Sequence, residues 1–137
     1  MSLHADAVSQ TSIRLSLRTL FDAECDLQLA ILVGSQVNGS AGPHSDWDIA
    51  IQWLPGLDLL ISLEKTETLR RSLAAVLDVA ESRIDLIELP TARLAMRAVV
   101  AEEGVPLKGE DSLAWSHFLL RTWRDLEAYY WEVTHAA

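Results

Sequence analysis

The sequence predicts an α/β (α+β) fold, a small mixed sheet flanked by helices. Apolar runs of strand length alternate with stretches of helical period in the order helix, strand, strand, helix, strand, helix, helix. Only the second strand follows the first without a full helix between them. The chain has 137 residues, 50% of them hydrophobic, enough to bury one core. Residues 1–137 are therefore read as one domain, with 112–137 as a C-terminal aromatic-rich helix.

The first helix is predicted over residues 5–24, where Val8, Ile13, Leu17, Leu20 and Phe21 recur at mostly helical spacing. Residues 26–33, "DLQLAILV", form a short apolar run ended by Gly34 and read as a buried strand. "DWDIAIQWLP" gives the second strand, closed by the turn signal Pro55-Gly56. Residues 62–78 place Leu63, Leu69, Leu73, Val76 and Leu77 on one side of a helix. "SRIDLIELP" (82–90) is the third strand, and residues 92–104 are a helix stopped at Gly104. "VPLKGED" reads as a short extended link before the long terminal helix.

Charge narrows the function. With 11 basic against 20 acidic residues, net −9, the chain is poorly equipped to neutralise phosphates directly. Direct nucleic-acid binding is not expected, and any phosphate chemistry requires a cation. A basic protein partner suits such a surface. The single cysteine, Cys25, excludes an internal disulfide framework and reads as a small core or helix-end residue. The N-terminal stretch lacks the basic-then-apolar order of a signal peptide, and no apolar run approaches a membrane span. The expectation is a soluble, cytoplasmic protein.

The chemistry concentrates in residues 32–52, "LVGSQVNGSAGPHSDWDIAIQ". Alternation along a strand puts Asp46, Asp48, Ala50 and Gln52 on one face and Trp47, Ile49, Ile51 and Trp53 on the other, apolar face. Asp46 and Asp48 are then held side by side, roughly 6.6 Å apart at Cα. Asp85 interrupts the apolar "IDLIEL", where a charge is costly unless paired or metal-bound. If the third strand lies beside the second, Asp85 completes a carboxylate triad. Such a triad repels itself unless a cation is present, and Mg²⁺ suits carboxylate oxygens together with the phosphates of a nucleotide. Two Mg²⁺ ions would serve an in-line displacement of pyrophosphate. Gly34-Ser35, leaving a strand for a short helical segment, presents N–H groups and a hydroxyl to phosphate. Gly39 and Gly42 tighten the connection, and Ser45 bonds locally ahead of the aspartates. A salt bridge from Arg83 or Arg93 to Asp85 is the structural alternative. Glu88 faces away from Asp85 by alternation. His4, His44, His117 and His135 show no zinc-like spacing.

Gly34-Ser35, Gly39 and Ser45-Asp46-Trp47-Asp48 match a GS-x3-G-x5-SD-x-D pattern, with Asp85 as a later strand carboxylate. Over about residues 27–111 the chain resembles the DNA polymerase beta-like nucleotidyltransferases. Its short length, the "EEGVPLKGED" segment and the terminal helix resemble the minimal nucleotidyltransferases, the MntA-type antitoxins encoded with HEPN-domain RNase toxins. The resemblance implies the polymerase beta-like fold, with Asp46, Asp48 and Asp85 as catalytic and metal-binding residues. Gly34, Ser35, Gly39 and Ser45 would bind the nucleotide. It further implies transfer of AMP from ATP, with Mg²⁺, to a hydroxyl of a cognate HEPN toxin, tyrosine being the expected acceptor, in a hetero-oligomer. One departure stands out: Gln36, Val37 and Asn38 occupy positions where many relatives carry a basic residue, which leaves triphosphate neutralisation more dependent on metal.

Two other classes remain open at this level. A non-catalytic module would neutralise the toxin by covering it, and a small-molecule nucleotidyltransferase would modify a free hydroxyl compound. The last 23 residues hold Trp115, Phe118, Trp123, Tyr129, Tyr130 and Trp131, six of the nine aromatics. Trp115–Leu119 and Leu126–Tyr130–Val133 form a stripe that reads as core, whereas the remainder spread round the helix as a docking surface would.

Overall fold

In the computed structural model, which describes residues 3–136, strands β1 (Leu27–Val33), β2 (Trp47–Trp53), β3 (Ile84–Glu88) and β4 (Val105–Lys108) form one sheet in the order β3-β2-β1-β4. β1 pairs antiparallel with β2 and with β4, while β2 and β3 run parallel. The sheet is mixed, as expected, because β1 and β2 are linked by residues 34–46 whereas β2 reaches β3 through the crossover helix α3 (Leu59–Leu77). The other helices are α1 (Leu3–Ala23), the single turn α2 (Ser35–Asn38), α4 (Leu94–Glu103) and α5 (Leu113–His135).

Period-two alternation divides the core. Leu27, Ala30, Leu32, Ile49, Ile51, Trp53 and Ile84 face α1 and α3, where Leu17, Phe21, Leu69, Leu73 and Ala74 cover them. A bulge between Leu27 and Leu29 resets the phase of β1, so Leu29, Ile31 and Val33 face the opposite layer with Val100 and Phe118. Ile13, Leu17, Leu20 and Phe21 of α1 pack as the spacing predicts; the side chains of Val8 and His4 lie outside the described residues.

Three expectations are corrected. The "VPLK" link is a true edge strand, fixed by α1: Arg18 donates to the Pro106 and Leu107 carbonyls, and Lys108 Nζ donates to Phe21 O at 2.9 Å and Glu24 O at 2.6 Å. The lysine thereby satisfies carbonyls at the end of α1, which has no basic residue in its own last turn. On α3, Leu63 and Val76 are exposed, because Thr66, Leu69, Leu73 and Ala74 take the inward face. Thr66 earns that place by accepting from Trp53 Nε1 at 3.0 Å. Tyr130 and Val133 are also exposed, since α5 outruns the layer it covers. Cys25 is exposed just after α1, a helix-end position and not a core one.

Candidate active site

The ends of three strands build the site. In the parallel ladder Asp48 lies opposite Asp85, and in the antiparallel ladder it lies opposite Val33. The register therefore sets Asp85 on one side of Asp48 and the turn after Val33 on the other. That turn is Gly34, with φ 79° and ψ −154°, a region open only to glycine. A Cβ at Gly34 would run into the Asp48 carboxylate, with the carboxyl carbon only 3.3 Å away. Gly34 is needed both for its backbone and for the closeness of Asp48.

Gly34 O accepts from the N–H groups of Val37 at 3.0 Å and Asn38 at 3.2 Å, closing the single turn of α2. The preceding amides, Ser35 and Gln36, are the ones helix geometry leaves without an intrahelical partner. Gly39, at φ 82°, ends the turn in the left-handed conformation. Asn38 Oδ1 then accepts from Ser40 N–H at 3.0 Å. The loop turns again where Ser45 Oγ accepts from Gly42 N–H at 2.8 Å and Ser45 N–H donates to Gly42 O at 3.1 Å. Ser45 thus orders the approach to β2, and Gly42 supplies the partner. His44 is exposed in this loop.

Electrostatics distinguish the three carboxylates. Partial burial raises the Asp48 carboxyl above its ordinary value; the Asp85 charge and a hydrogen bond shared with Asp85 add to this, and Asp46 contributes last. Asp85 is exposed at the sheet edge. Asp46 sits one residue before β2 and is engaged elsewhere, with Arg83 Nε 3.5 Å from its Oδ1. Arg83 was a sequence candidate to pair with Asp85. It pairs with Asp46 because Trp47 lies opposite Ile84, which brings the residue before each strand together. Arg83 Nη2 also donates to Ser45 O at 2.7 Å and Pro43 O at 3.1 Å. Its position two residues before Asp85 was the only signal for this role. Glu88 does face away: its carboxylate accepts from Thr66 Oγ1 at 3.5 Å in the α3 layer.

The structure thus brings Asp48 and Asp85 together, flanks them with Gly34-Ser35, and holds Asp46 beside them on Arg83. Among the described residues no three potential ligand side chains close into a metal cluster. The donor chemistry nonetheless fits a hard cation. Burial and the adjacent Asp85 charge raise the proton affinity of Asp48, with a smaller contribution from Asp46, the condition a divalent ion relieves. Among the described residues no helix is long and apolar enough to cross a membrane.

Known proteins share the fold. Residues 16–113 match the family "Polymerase beta, Nucleotidyltransferase", a span that contains all seven candidate residues. No curated protein matches the sequence. Among solved structures, the chain is similar to one in a toxin–antitoxin crystallised with AMP-PNP, at 26% identity and TM-score 0.64, covering 88% of this chain and 94% of that one. It is similar to a chain in the complex of a tri-AMPylated Shewanella oneidensis HEPN toxin with MNT antitoxin, at 25% identity and TM-score 0.60, covering 91% and 95%. A chain of the toxin–antitoxin MntA–HepT shares the fold at 24% identity and TM-score 0.60, covering 90% and 95%. With its strand-end carboxylates, glycine turn and mixed sheet, this chain belongs to the polymerase beta nucleotidyltransferase family.

Proposed function

We propose that this protein is a cytoplasmic antitoxin that moves AMP from ATP to a tyrosine hydroxyl of a cognate HEPN-type toxin and so neutralises it. The observation that carries this reading is the in-register pair Asp48–Asp85 set against the glycine turn at Gly34. The AMP-PNP and tri-AMPylated toxin complexes of its structural relatives supply the nucleotide and the acceptor class.

In this reading the Ser35 and Gln36 amides and the Ser35 hydroxyl bind the triphosphate, while Gly39 and Ser45 keep the 34–46 connection in shape. Asp46, Asp48 and Asp85 would hold Mg²⁺, two ions in the expected arrangement; when bound, they neutralise the triphosphate and stabilise departing pyrophosphate. The acceptor oxygen forms a bond to the α-phosphorus as the α–β bridging bond breaks, pyrophosphate leaves, and Asp85 takes the hydroxyl proton. Asp48, in register with Asp85 across the β2–β3 ladder, would hold the metal beside that carboxylate. Gln36, Val37 and Asn38 add no positive charge, so the protein itself contributes alignment more than neutralisation.

The test is the intact mass of a purified cognate HEPN-type toxin after incubation with the chain, ATP and Mg²⁺. Mass added in whole AMP units is expected, and an unchanged partner mass overturns transfer. If Asp46→Ala with Asp48→Ala still protects cells from the toxin, neutralisation is by binding alone. Modified small molecules without modified protein would instead indicate a free hydroxyl acceptor.

A further inference from the structure

Helix α5 changes character halfway along. Up to Leu126 its inward face is covered: Phe118 and Thr122 are buried, Trp115 stacks on Phe118 at 5.3 Å, and Trp115 and Leu119 pack on the layer of β1 and α4. The ion pair Arg97–Asp125, at 2.9 Å, ties the helix to α4. Beyond it every residue from Glu127 to Ala136 is exposed, although the segment carries Tyr129, Tyr130, Trp131 and Val133. At 100° per residue Tyr129 and Val133 fall in phase with Trp115, Phe118 and Thr122, so the core-facing stripe continues with no described residue covering it. Tyr130 lies on the flank, its ring 5.7 Å from that of Tyr129, while Trp131 lies on the back, stacked on His135 at 4.3 Å.

Four large apolar side chains round more than one side of a projecting helix constrain what can cover them. The ten residues span about 15 Å of helix. The matching helix of a second copy would cover one side of that length, well short of the roughly 800 Å² per partner that stable interfaces bury. A groove between helices of another protein encloses an inserted helix on several sides and buries more of it. Glu127 and Glu132 flank the aromatics, and the whole chain carries a net charge of −9, so the groove's complement is an apolar floor with Lys or Arg on its rims.

We propose that residues 127–136 are the docking helix of this protein, inserted into an apolar, basic-rimmed groove of its protein substrate. This rests on the reading of that substrate as a HEPN-type toxin. Docking through α5, beyond the family match that ends at Leu113, separates holding the substrate from the chemistry at Asp48 and Asp85.

The experiment uses the full chain and the triple variant Tyr129→Gln, Tyr130→Gln, Trp131→Gln. All three positions are exposed and glutamine keeps the helix, so the fold should survive; circular dichroism and melting temperature verify it. The cognate HEPN-type toxin is titrated into each by calorimetry without ATP, and its AMP incorporation is followed against its concentration. Binding weakened about a hundredfold, with KM for the protein substrate raised and KM for ATP and kcat unchanged, is expected. Equal binding by both forms overturns the docking helix and leaves the proposed activity standing. Failure of the unaltered chain to bind or modify the protein overturns both. Self-association of the unaltered chain by light scattering, lost in the variant, would assign the helix to a second copy and overturn the proposal.

Discussion

At the scale of single residues the site is a set of mutual constraints. Gly34 is there because Asp48 leaves no room for a Cβ and because its backbone torsions belong to glycine. Gly34→Ala is expected to cost about 1–3 kcal/mol in chemical denaturation and to abolish nucleotide binding measured by calorimetry. The raised proton affinity of Asp48 has a readable sign. Below the unfolded carboxylate's pKa the group is protonated in both states. As pH rises from there through the higher native value, the folded protein retains the proton longer, so stability falls across that window. Melting curves in chelator across acidic pH should show this decline, and Asp48→Asn should lose it while transfer drops by about a hundredfold or more. Arg83 joins the two strand entrances through Asp46 and two loop carbonyls. Arg83→Met is expected to destabilise by about 1–3 kcal/mol in urea titration and to raise KM for ATP, because the loop before β2 loses its anchor.

At the scale of elements, polar side chains in otherwise apolar faces decide how the layers seat. Thr66 is buried in α3, accepts from Trp53 Nε1 and donates to Glu88, linking helix, β2 and β3. Thr66→Val keeps the volume but strands the indole N–H, for an expected loss of about 1–3 kcal/mol in thermal denaturation. Helix starts follow local chemistry: Asp58 caps α3 by accepting from Leu60 N–H at 2.8 Å, and Ser112 caps α5 by accepting from Trp115 N–H at 3.2 Å. Apolar periodicity alone starts α3 at residue 62, past its cap at Asp58. β4 is not legible as a strand, since its four residues show no alternation and Pro106 weakens the signal; only pairing with β1 and the lysine reaching back to α1 make it a strand.

At the scale of the whole molecule, net charge shapes encounters more than fold. A surface at −9 facing a basic partner should associate faster at low ionic strength. Stopped-flow association with the HEPN-type protein is expected to slow about tenfold or more between low and physiological salt, with dissociation changing less. The carboxylates gather at the entrances of β2 and β3, and the aromatic helix projects from the covering layer.

The sequence by itself determined the order of the elements apart from β4, the glycine turn, the alternation that turns Asp48 away from the Ile49 and Ile51 face, and the family. These follow from short-range rules: strand period, helical period and the torsions only glycine adopts. Tertiary structure decided that β4 closes the sheet, that Arg83 takes Asp46 and not Asp85, and that α5 runs bare past Leu126. Each of those depends on which strand lies beside which and on where a neighbouring layer ends. Such quantities are set by contacts between residues far apart in the chain, and no local pattern encodes them.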